Sequence, residues 1–311
     1  MKIDAPDTPP GLKPNIGTYV NRSFQLIDVF SEHPFMGNPL AVVLGHSELD
    51  PTTMQSITRW MNLSETAFVL PPNDPRADYR VRIFTLEREM PFAGHPTLGS
   101  CHAWLSSGGT PQKPNLIVQE CGLGLVPIQR IEGRYSFQAP PLIRSGPIEA
   151  KKIEELAAFL RIDPSDIVDS TWADNGPGWI AVMLESAEAV LQLSPERAST
   201  TRWDVGVVGP YPTAHPAAFE LRAFFTDHRG EVREDPVTGS LNASIGQWLF
   251  RTRRAQGPYI ASQGTRLARQ GRVHVTEDES GNIWVGGAAV TRFSGHYVPA
   301  NHVRERLKTS S

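Results

Sequence analysis

Three ionisable residues of types that carry protons stand beside turns in this sequence. Glu65 lies in NLSETAF, His95 in AGHPT and Asp235 in EDPVTGS. Two carboxyl groups and an imidazole in one dry cleft are suited to proton transfer, because burial and neighbouring charges can bring a carboxyl pKa towards neutrality. A glutamate at such a helix-to-strand boundary is also typical of a solvated surface, and spacing along the chain does not by itself bring the three residues together.

Two predicted helices are each preceded by a glycine. Gly94 lies next to His95, and Gly239 lies shortly after Asp235. The first turn of a helix has backbone N–H groups without partners and the positive end of the helix dipole, so it attracts anions without Lys or Arg. If the two helix N-termini converge, a small molecule with a carboxylate fits between them. A role in tight turns alone would also explain both glycines.

These segments belong to an internal repeat with an offset of about 140 residues. RIFT, PFAGHPT and a helix ending in AWL are matched later by RAFFT, EDPVTGS and a helix ending in QWL. The offset is close to half of the folded length and predicts two related α+β halves, with a linker at 140–147.

The elements that must position these residues follow from hydrophobic patterning. Short runs rich in β-branched and aromatic residues predict strands at 24–30, 40–44, 66–70, 79–84, 116–120, 179–184, 219–225, 271–276 and 283–286. Helical spacing of apolar residues predicts helices at 52–61, 97–105, 153–160 and 241–251. We expect a flexible leader at 1–21, an N-terminal half at 22–140, a C-terminal half at 148–298 whose last strand is able to return to the first half, and a tail at 299–311.

Charge and composition argue against several classes of protein. Thirty Lys and Arg against 33 Asp and Glu leave a net charge of −3, so no basic excess exists to bind nucleic acid or anionic lipid. No apolar run approaches the roughly 20 residues that span a bilayer, and the first residues lack the apolar core of a signal peptide. Two cysteines cannot build a disulfide framework. We expect a cytoplasmic enzyme or binding protein.

The sequence contains no motif for several other kinds of site. GLG at 122–124 and GVVG at 206–209 do not match a dinucleotide fingerprint, and neither a P-loop nor a GxSxG elbow occurs. His95 and His102 have no third ligand nearby, so no metal site is predicted. Cys101 falls within a predicted helix, where it is expected to be a small buried hydrophobe.

Four ordered motifs carry a family resemblance: DVF with PFMGNP at 28–39, MNLSETAF at 61–68, PFAGHPT at 91–97 and EDPVTGS at 234–240. In these, the chain resembles the PhzF family of phenazine-biosynthesis-like isomerases, which share the diaminopimelate epimerase fold. The resemblance implies an α+β fold of two pseudo-symmetric domains, each a curved, mostly antiparallel sheet around a central helix that starts near Thr97 or Ser240. It also implies a homodimer that uses neither a metal nor an organic cofactor.

The resemblance implies roles for individual residues as well. In the phenazine enzyme, the glutamate that matches Glu65 moves a proton between carbons of dihydro-3-hydroxyanthranilate, and we expect Glu65, His95 and Asp235 to be catalytic. The expected substrate-binding residues are Gly94, Gly239, Ser240, Thr238 and Asn38. Related epimerases use two cysteines, and neither Cys101 nor Cys121 stands at those positions, so two-thiol racemase chemistry is not expected.

The leading hypothesis is a cofactor-independent isomerase that moves a proton on a small, unsaturated, carboxylate-bearing substrate in a cleft between the halves. A non-catalytic small-molecule-binding or interaction protein on the same scaffold is the alternative, because fold does not determine function. A serine hydrolase that uses Ser240 lacks an identifiable base. The cleft walls that choose the substrate include the segment 174–179, in which Trp179 is either a substrate platform or a core residue.

Overall fold

The computed structural model describes residues 22–45, 47–131 and 134–297. The predicted leader at 1–21 and the predicted tail at 299–311 lie outside the described residues. In chain order the elements are β1 (Arg22–Val29), β2 (Asn38–Leu44), α1 (Pro51–Met61), β3 (Glu65–Leu70), β4 (Tyr79–Thr85), β5 (Glu89–Met90), α2 (Gly94–Ser106), β6 (Leu116–Cys121), β7 (Gly124–Ile131), β8 (Arg134–Gln138), β9 (Arg144–Gly146), α3 (Ala150–Leu160), β10 (Asp169–Asp174), β11 (Ile180–Met183), α4 (Ala187–Gln192), β12 (Asp204–Pro210), β13 (Phe219–Thr226), β14 (Val232–Asp235), α5 (Gly239–Arg251), β15 (Tyr259–Gln263), β16 (Gly271–Glu277), β17 (Ile283–Gly287) and β18 (Ala289–Tyr297), with short 3-10 helices at Pro164–Asp166 and Thr265–Leu267.

The strands form one continuous sheet in two runs. The first run has the order β18-β1-β2-β3-β4-β6-β7-β8, and the second continues from β8 as β17-β16-β15-β13-β12-β11-β10-β9. The short strands β5 and β14 pair with β4 and β13. The pairs β2–β3, β4–β6, β11–β12 and β13–β15 are parallel, and the other pairs are antiparallel. The predicted α+β class with two mostly antiparallel, pseudo-symmetric units is therefore confirmed.

Matching ion pairs mark the repeat at the level of side chains. In the first run, Arg82 on β4 donates from Nε and Nη2 to both carboxylate oxygens of Glu89 on β5, at 2.7 and 2.6 Å. In the second run, Arg222 on β13 donates in the same way to Glu234 on β14, at 2.9 and 2.7 Å. The internal repeat read from the sequence thus extends to strand register and to a bidentate ion pair.

The helices α2 and α5 lie at the centre of the two runs. Each has 13 residues and buries most of them, including polar ones, because the surrounding strands leave almost no side of the helix facing water. Both begin slightly earlier than predicted, α2 at Gly94 rather than Thr97 and α5 at Gly239 rather than Leu241. Pro96 is compatible with this start, since the first turn of a helix needs no backbone N–H there. None of the described helices is long and apolar enough to cross a membrane.

Several elements differ from the sequence-based expectation. The predicted linker at 140–147 contains β9, which pairs with β10. Strand β12 was not predicted because its glycines weaken the strand pattern. Gly206 is required there, since a Cβ at this position would lie 2.2 Å from Leu241 Cδ1 of α5. Strand β18 was also missed, and it pairs along its length with β1.

Candidate active site

The two central helices meet at their first residues. A Cβ placed on Gly94 would lie 2.6 Å from the Cα of Gly239 and 2.9 Å from the backbone N of Ser240, and a Cβ on Gly239 would lie 2.8 Å from the Cα of Gly94. Within the described chain, neither N-cap residue, Ala93 or Thr238, forms a side-chain cap hydrogen bond. Two uncapped, positive helix ends therefore converge at one point, and both glycines are needed for that approach.

Glu65 and His95 face each other beside this junction. Glu65 is the first residue of β3, and His95 is the second residue of α2. Glu65 Oε2 and His95 Nε2 are 3.4 Å apart, and their side chains are 17% and 4% exposed. Neither of these two atoms has a hydrogen-bond partner among the residues that the structure describes. Buried polar atoms normally have partners, so this pair of atoms is a place where a ligand could bind.

Asn38 connects this pair to Asp235 in the other half of the protein. Its Nδ2 donates to Val237 O at 2.9 Å and to Asp235 Oδ1 at 3.1 Å, and lies 3.4 Å from His95 Nδ1. The carbonyl of Val237 can only accept, which fixes the orientation of the amide. The two hydrogens of Nδ2 are directed to Val237 O and Asp235 Oδ1, and a hydrogen on His95 Nδ1 would face this donor nitrogen, so we assign the hydrogen of the neutral ring to Nε2, on the side of Glu65.

The three ionisable groups have strongly shifted pKa values. Burial, and secondly the negative charge of Asp235, raise the pKa of Glu65 to about 8. Burial also raises the pKa of Asp235 to about 6, although hydrogen bonds from Thr238 and Asn38 oppose the change. Burial lowers the pKa of His95 to about 3, so its ring is neutral near pH 7. Shifts of this kind are typical of groups that transfer protons.

The predicted binding residues surround the same point. Thr238 Oγ1 donates to Asp235 Oδ2 at 2.6 Å. Ser240 Oγ accepts a hydrogen bond from Trp179 Nε1 at 3.1 Å, and its backbone carbonyl accepts one from Asn175 Nδ2 at 2.9 Å. The structure thus brings together all eight predicted site residues: Asn38, Glu65, Gly94, His95, Asp235, Thr238, Gly239 and Ser240.

Trp179 is a core residue with a polar contact to the site. It is 4% exposed and belongs to the large apolar cluster that includes both central helices. Because its ring is buried and only its N–H reaches Ser240, the structure favours the core interpretation over a substrate platform.

Gln263 also belongs to the site, although no sequence motif indicates it. It ends β15 and is fully buried. Its Oε1 accepts from Thr238 N and Asn242 Nδ2 at 3.0 and 2.9 Å, and its Nε2 donates to Thr238 Oγ1 and Asp235 O at 2.9 and 3.2 Å. No motif surrounds Gln263, and no local pattern marks it.

The cysteines lie apart from these contacts. Cys101 is fully buried in the apolar core, as predicted, and burial raises the pKa of its thiol. Cys121 ends β6, and its Sγ contacts Gly124 O. Neither thiol contacts the residues of the candidate site.

Two grooves lie elsewhere on the surface. Their volumes are about 600 and 270 Å³, and their linings share Arg134, Pro216, Ile260 and His274. None of the eight predicted site residues lines either groove. The candidate site is therefore identified by its chemical groups and not by its size.

Known proteins resemble this chain over most of its length. The family PhzC-PhzF, described as phenazine biosynthesis-like protein, matches residues 27–295. Antisense-enhancing sequence 1 of Schizosaccharomyces pombe is 36% identical over 293 residues, 88% of this chain and 97% of that protein. The trans-2,3-dihydro-3-hydroxyanthranilate isomerase of Pseudomonas aeruginosa is 33% identical over 267 residues, 83% of this chain and 91% of that enzyme.

A solved structure agrees with these matches. The crystal structure of a PhzF-family protein from Enterococcus faecalis has a TM-score of 0.71 and 26% identity, and the match covers 90% of this chain and 100% of that one. The family resemblance and the predicted enzyme class, isomerase, are confirmed. The chain belongs to the PhzC-PhzF family of phenazine biosynthesis-like proteins.

Proposed function

We propose that this isomerase moves a proton between two atoms of a small, unsaturated, carboxylate-bearing substrate, with Glu65 as both base and acid. The observation that carries the proposal is the contact of Glu65 Oε2 with His95 Nε2 at 3.4 Å, next to Asp235 and the converging helix ends. This arrangement supplies a proton carrier, a neutral hydrogen-bond donor and a carboxylate within one buried site.

The proposed reaction needs only groups of this chain and the substrate. The Glu65 carboxylate takes a proton from a carbon next to the unsaturated system, and the electron pair of that C–H bond moves into the π-system. The same proton then returns from the Glu65 carboxylic acid to another carbon, which restores the carboxylate. The substrate gains and loses no atom, and nothing is oxidised or reduced.

The neighbouring groups stabilise the charge that develops. Neutral His95 donates from Nε2 to a substrate oxygen or nitrogen on which charge accumulates. The Asp235 carboxylate accepts a hydrogen bond from a substrate amine or hydroxyl. The backbone N–H groups that begin α2 and α5, at Gly94 and Gly239, bind the substrate carboxylate, and the Ser240 hydroxyl is placed to donate to it.

The relative from Pseudomonas aeruginosa indicates the compound to test first. That enzyme is named for trans-2,3-dihydro-3-hydroxyanthranilate, which is unsaturated and carries a carboxylate, an amine and a hydroxyl. A homodimer, a cytoplasmic location and the absence of a cofactor stay predictions for this chain.

The test is proton NMR of this compound in D2O with the wild-type protein, Glu65→Gln and Glu155→Gln. Glu155 lies on α3, away from the site, and serves as the matched control. We expect isomerisation by the wild type and the control, and a loss of about 10²–10⁴-fold in the rate of Glu65→Gln, which is typical for removal of a proton-transfer group. Turnover by Glu65→Gln at the wild-type rate would contradict the assignment.

A second candidate is a non-catalytic binding or interaction protein on the same scaffold. The relative from Schizosaccharomyces pombe, at 36% identity, favours it, because its name refers to antisense enhancement and not to a reaction. This candidate predicts that the compound binds without turnover and that Glu65→Gln binds it as tightly as the wild type, which isothermal titration calorimetry would measure.

A further inference from the structure

The orientation of the Gln263 side-chain amide is determined by backbone groups. Thr238 N–H can only donate, and it donates to Gln263 Oε1 at 3.0 Å. Asp235 O can only accept, and it accepts from Gln263 Nε2 at 3.2 Å. The opposite orientation would place donor against donor and acceptor against acceptor. Gln263 Nε2 therefore faces the hydroxyl of Thr238, to which it donates at 2.9 Å.

This orientation determines the direction of the Thr238 hydroxyl. Because Thr238 Oγ1 accepts from Gln263, which offers it no acceptor in return, the hydroxyl hydrogen is directed to Asp235 Oδ2 at 2.6 Å. A proton on Asp235 Oδ2 would oppose that hydrogen. The cost is high because Thr238 is 7% exposed and Gln263 is fully buried, so water does not offer the hydroxyl an alternative.

The other carboxylate oxygen of Asp235 also faces a donor. Asn38 Nδ2 donates to Asp235 Oδ1 at 3.1 Å, and its orientation is fixed by its second bond, to Val237 O. Both oxygens of Asp235 thus accept hydrogen bonds, whereas Glu65 Oε2 has no hydrogen-bond partner among the described residues.

The charged groups around Asp235 do not reverse this preference for an ionised Asp235 and a protonated Glu65. Glu234, the neighbouring residue, raises the pKa of Asp235 by its charge but is held in a bidentate pair by Arg222. His95 is neutral near pH 7, so it supplies no positive charge. Among the described residues, Glu65 also interacts with Asp235 through its charge, and two buried carboxyl groups that repel one another share one proton more readily than both ionise.

We propose that Gln263, acting through the Thr238 hydroxyl, is a positioning residue that keeps Asp235 ionised and so places the shared proton of the two carboxyl groups on Glu65. The proposal deepens the proposed function and rests on it for its catalytic meaning, since it makes Glu65 the carboxyl group that gains and loses the proton and keeps Asp235 as the ionised hydrogen-bond acceptor. Its structural part, the location of the proton, can be measured without any substrate.

The first half of the protein offers a matched control. Gln119 Nε2 donates to Thr97 Oγ1 at 3.0 Å, and Thr97 Oγ1 donates to the backbone carbonyl of Ala93 at 2.9 Å. This is the same sequence of Gln, Thr and acceptor, equally buried, but it ends on a carbonyl that does not titrate. Thr97→Val therefore removes a comparable hydroxyl without acting on a carboxyl group.

The experiment is a pH titration of protein labelled with ¹³C at the side-chain carboxyl carbons, followed by NMR. Asp235→Asn and Glu65→Gln assign the two resonances. In the wild type we expect Asp235 to ionise at lower pH than Glu65. In Thr238→Val we expect the apparent pKa of Asp235 to rise by about one to two units, because a hydrogen bond to a charged group is lost. Thr238→Ser restores the hydroxyl and should restore the wild-type titration, and Thr97→Val should leave it unchanged.

Gln263→Met tests the outer residue of the hydrogen-bond relay Gln263–Thr238–Asp235 and should also raise the apparent pKa of Asp235; Thr238→Val carries the test if Gln263→Met fails to fold. The proposal is overturned if Asp235 titrates alike in the wild type and Thr238→Val, if Thr97→Val shifts Asp235 as much as Thr238→Val does, or if Glu65 ionises first in the wild type. If the titration gives one of these results while the wild type still turns over the substrate, only the role of Gln263 and Thr238 is rejected. A wild-type protein that titrates as expected but turns over no substrate would reject only the proposed function.

Discussion

Arg222 holds Glu234, the residue next to Asp235, with two hydrogen bonds of 2.9 and 2.7 Å, and both side chains are largely buried. The guanidinium also donates from Nη1 to the backbone carbonyls of Val190 and Leu193 at 3.2 and 2.7 Å. One side chain therefore ties the end of α4 to β13 and β14, and so supports the strand that presents Asp235.

Replacement of Arg222 by Met should destabilise the protein strongly. The change leaves the Glu234 carboxylate buried without its partner, which typically costs about 3–5 kcal/mol. The equivalent change in the first half, Arg82→Met, breaks its pairs with Glu89 and Glu48, whose side chains are 41% and 40% exposed, and it should cost only about 1 kcal/mol. Urea unfolding of both variants measures the difference. Equal losses would contradict the role assigned to burial.

Gly94→Ala should separate the two central helices. The new Cβ would lie 2.6 Å from the Cα of Gly239, and backbone atoms cannot turn aside as a flexible side chain does. We expect a loss of about 1–3 kcal/mol in stability and a larger relative loss of activity, because the helix ends and the catalytic groups move apart. Gly257→Ala is the control, since a Cβ there meets no atom within 4 Å. Thermal unfolding and turnover of both variants give the answer.

The pH dependence of kcat/KM should follow Glu65. The base form of Glu65 is the carboxylate, and its pKa is about 8, so kcat/KM should rise about tenfold per pH unit from about pH 6, the pKa of Asp235, to pH 8 and level off above that value. Removal of the Asp235 charge in Asp235→Asn lowers the pKa of Glu65 and should move the rising limb to lower pH, even where the overall rate falls. A limb that stays in place in this variant would show that another group controls the profile.

Stability should respond to pH through the same carboxyl group. The pKa of Glu65 is raised from 4.5 to about 8 by folding, so its contribution to stability is fully present below about pH 4.5 and is lost as the pH rises through 8. Glu65→Gln removes this loss. Since one pKa unit corresponds to about 1.4 kcal/mol, the variant should be more stable than the wild type by a few kcal/mol at pH 9, with a smaller difference at pH 5. Urea unfolding at the two pH values measures it, and a difference independent of pH would contradict the shifted pKa.

The repeat and the family motifs made much of this protein predictable from its sequence. The motifs around Glu65, His95 and Asp235 are contiguous and were recognised as candidate site segments, and the two central helices follow from apolar spacing over ten or more residues. These are local properties, carried by neighbouring residues. Strand β12 could not be predicted in this way, because the need for a glycine at position 206 comes from Leu241, which approaches it from α5.

The tertiary structure decided how the candidate groups are ionised and which residues control them. Gln263 lies 25 residues after Thr238 and has no motif of its own, yet its amide determines the direction of the Thr238 hydroxyl. Asn38 joins His95 and Asp235, which come from different halves. The sequence determined which chemical groups are present and which elements present them. Their pKa values and hydrogen-bond directions depend on burial and on contacts between residues far apart in the chain, and only the folded chain creates these.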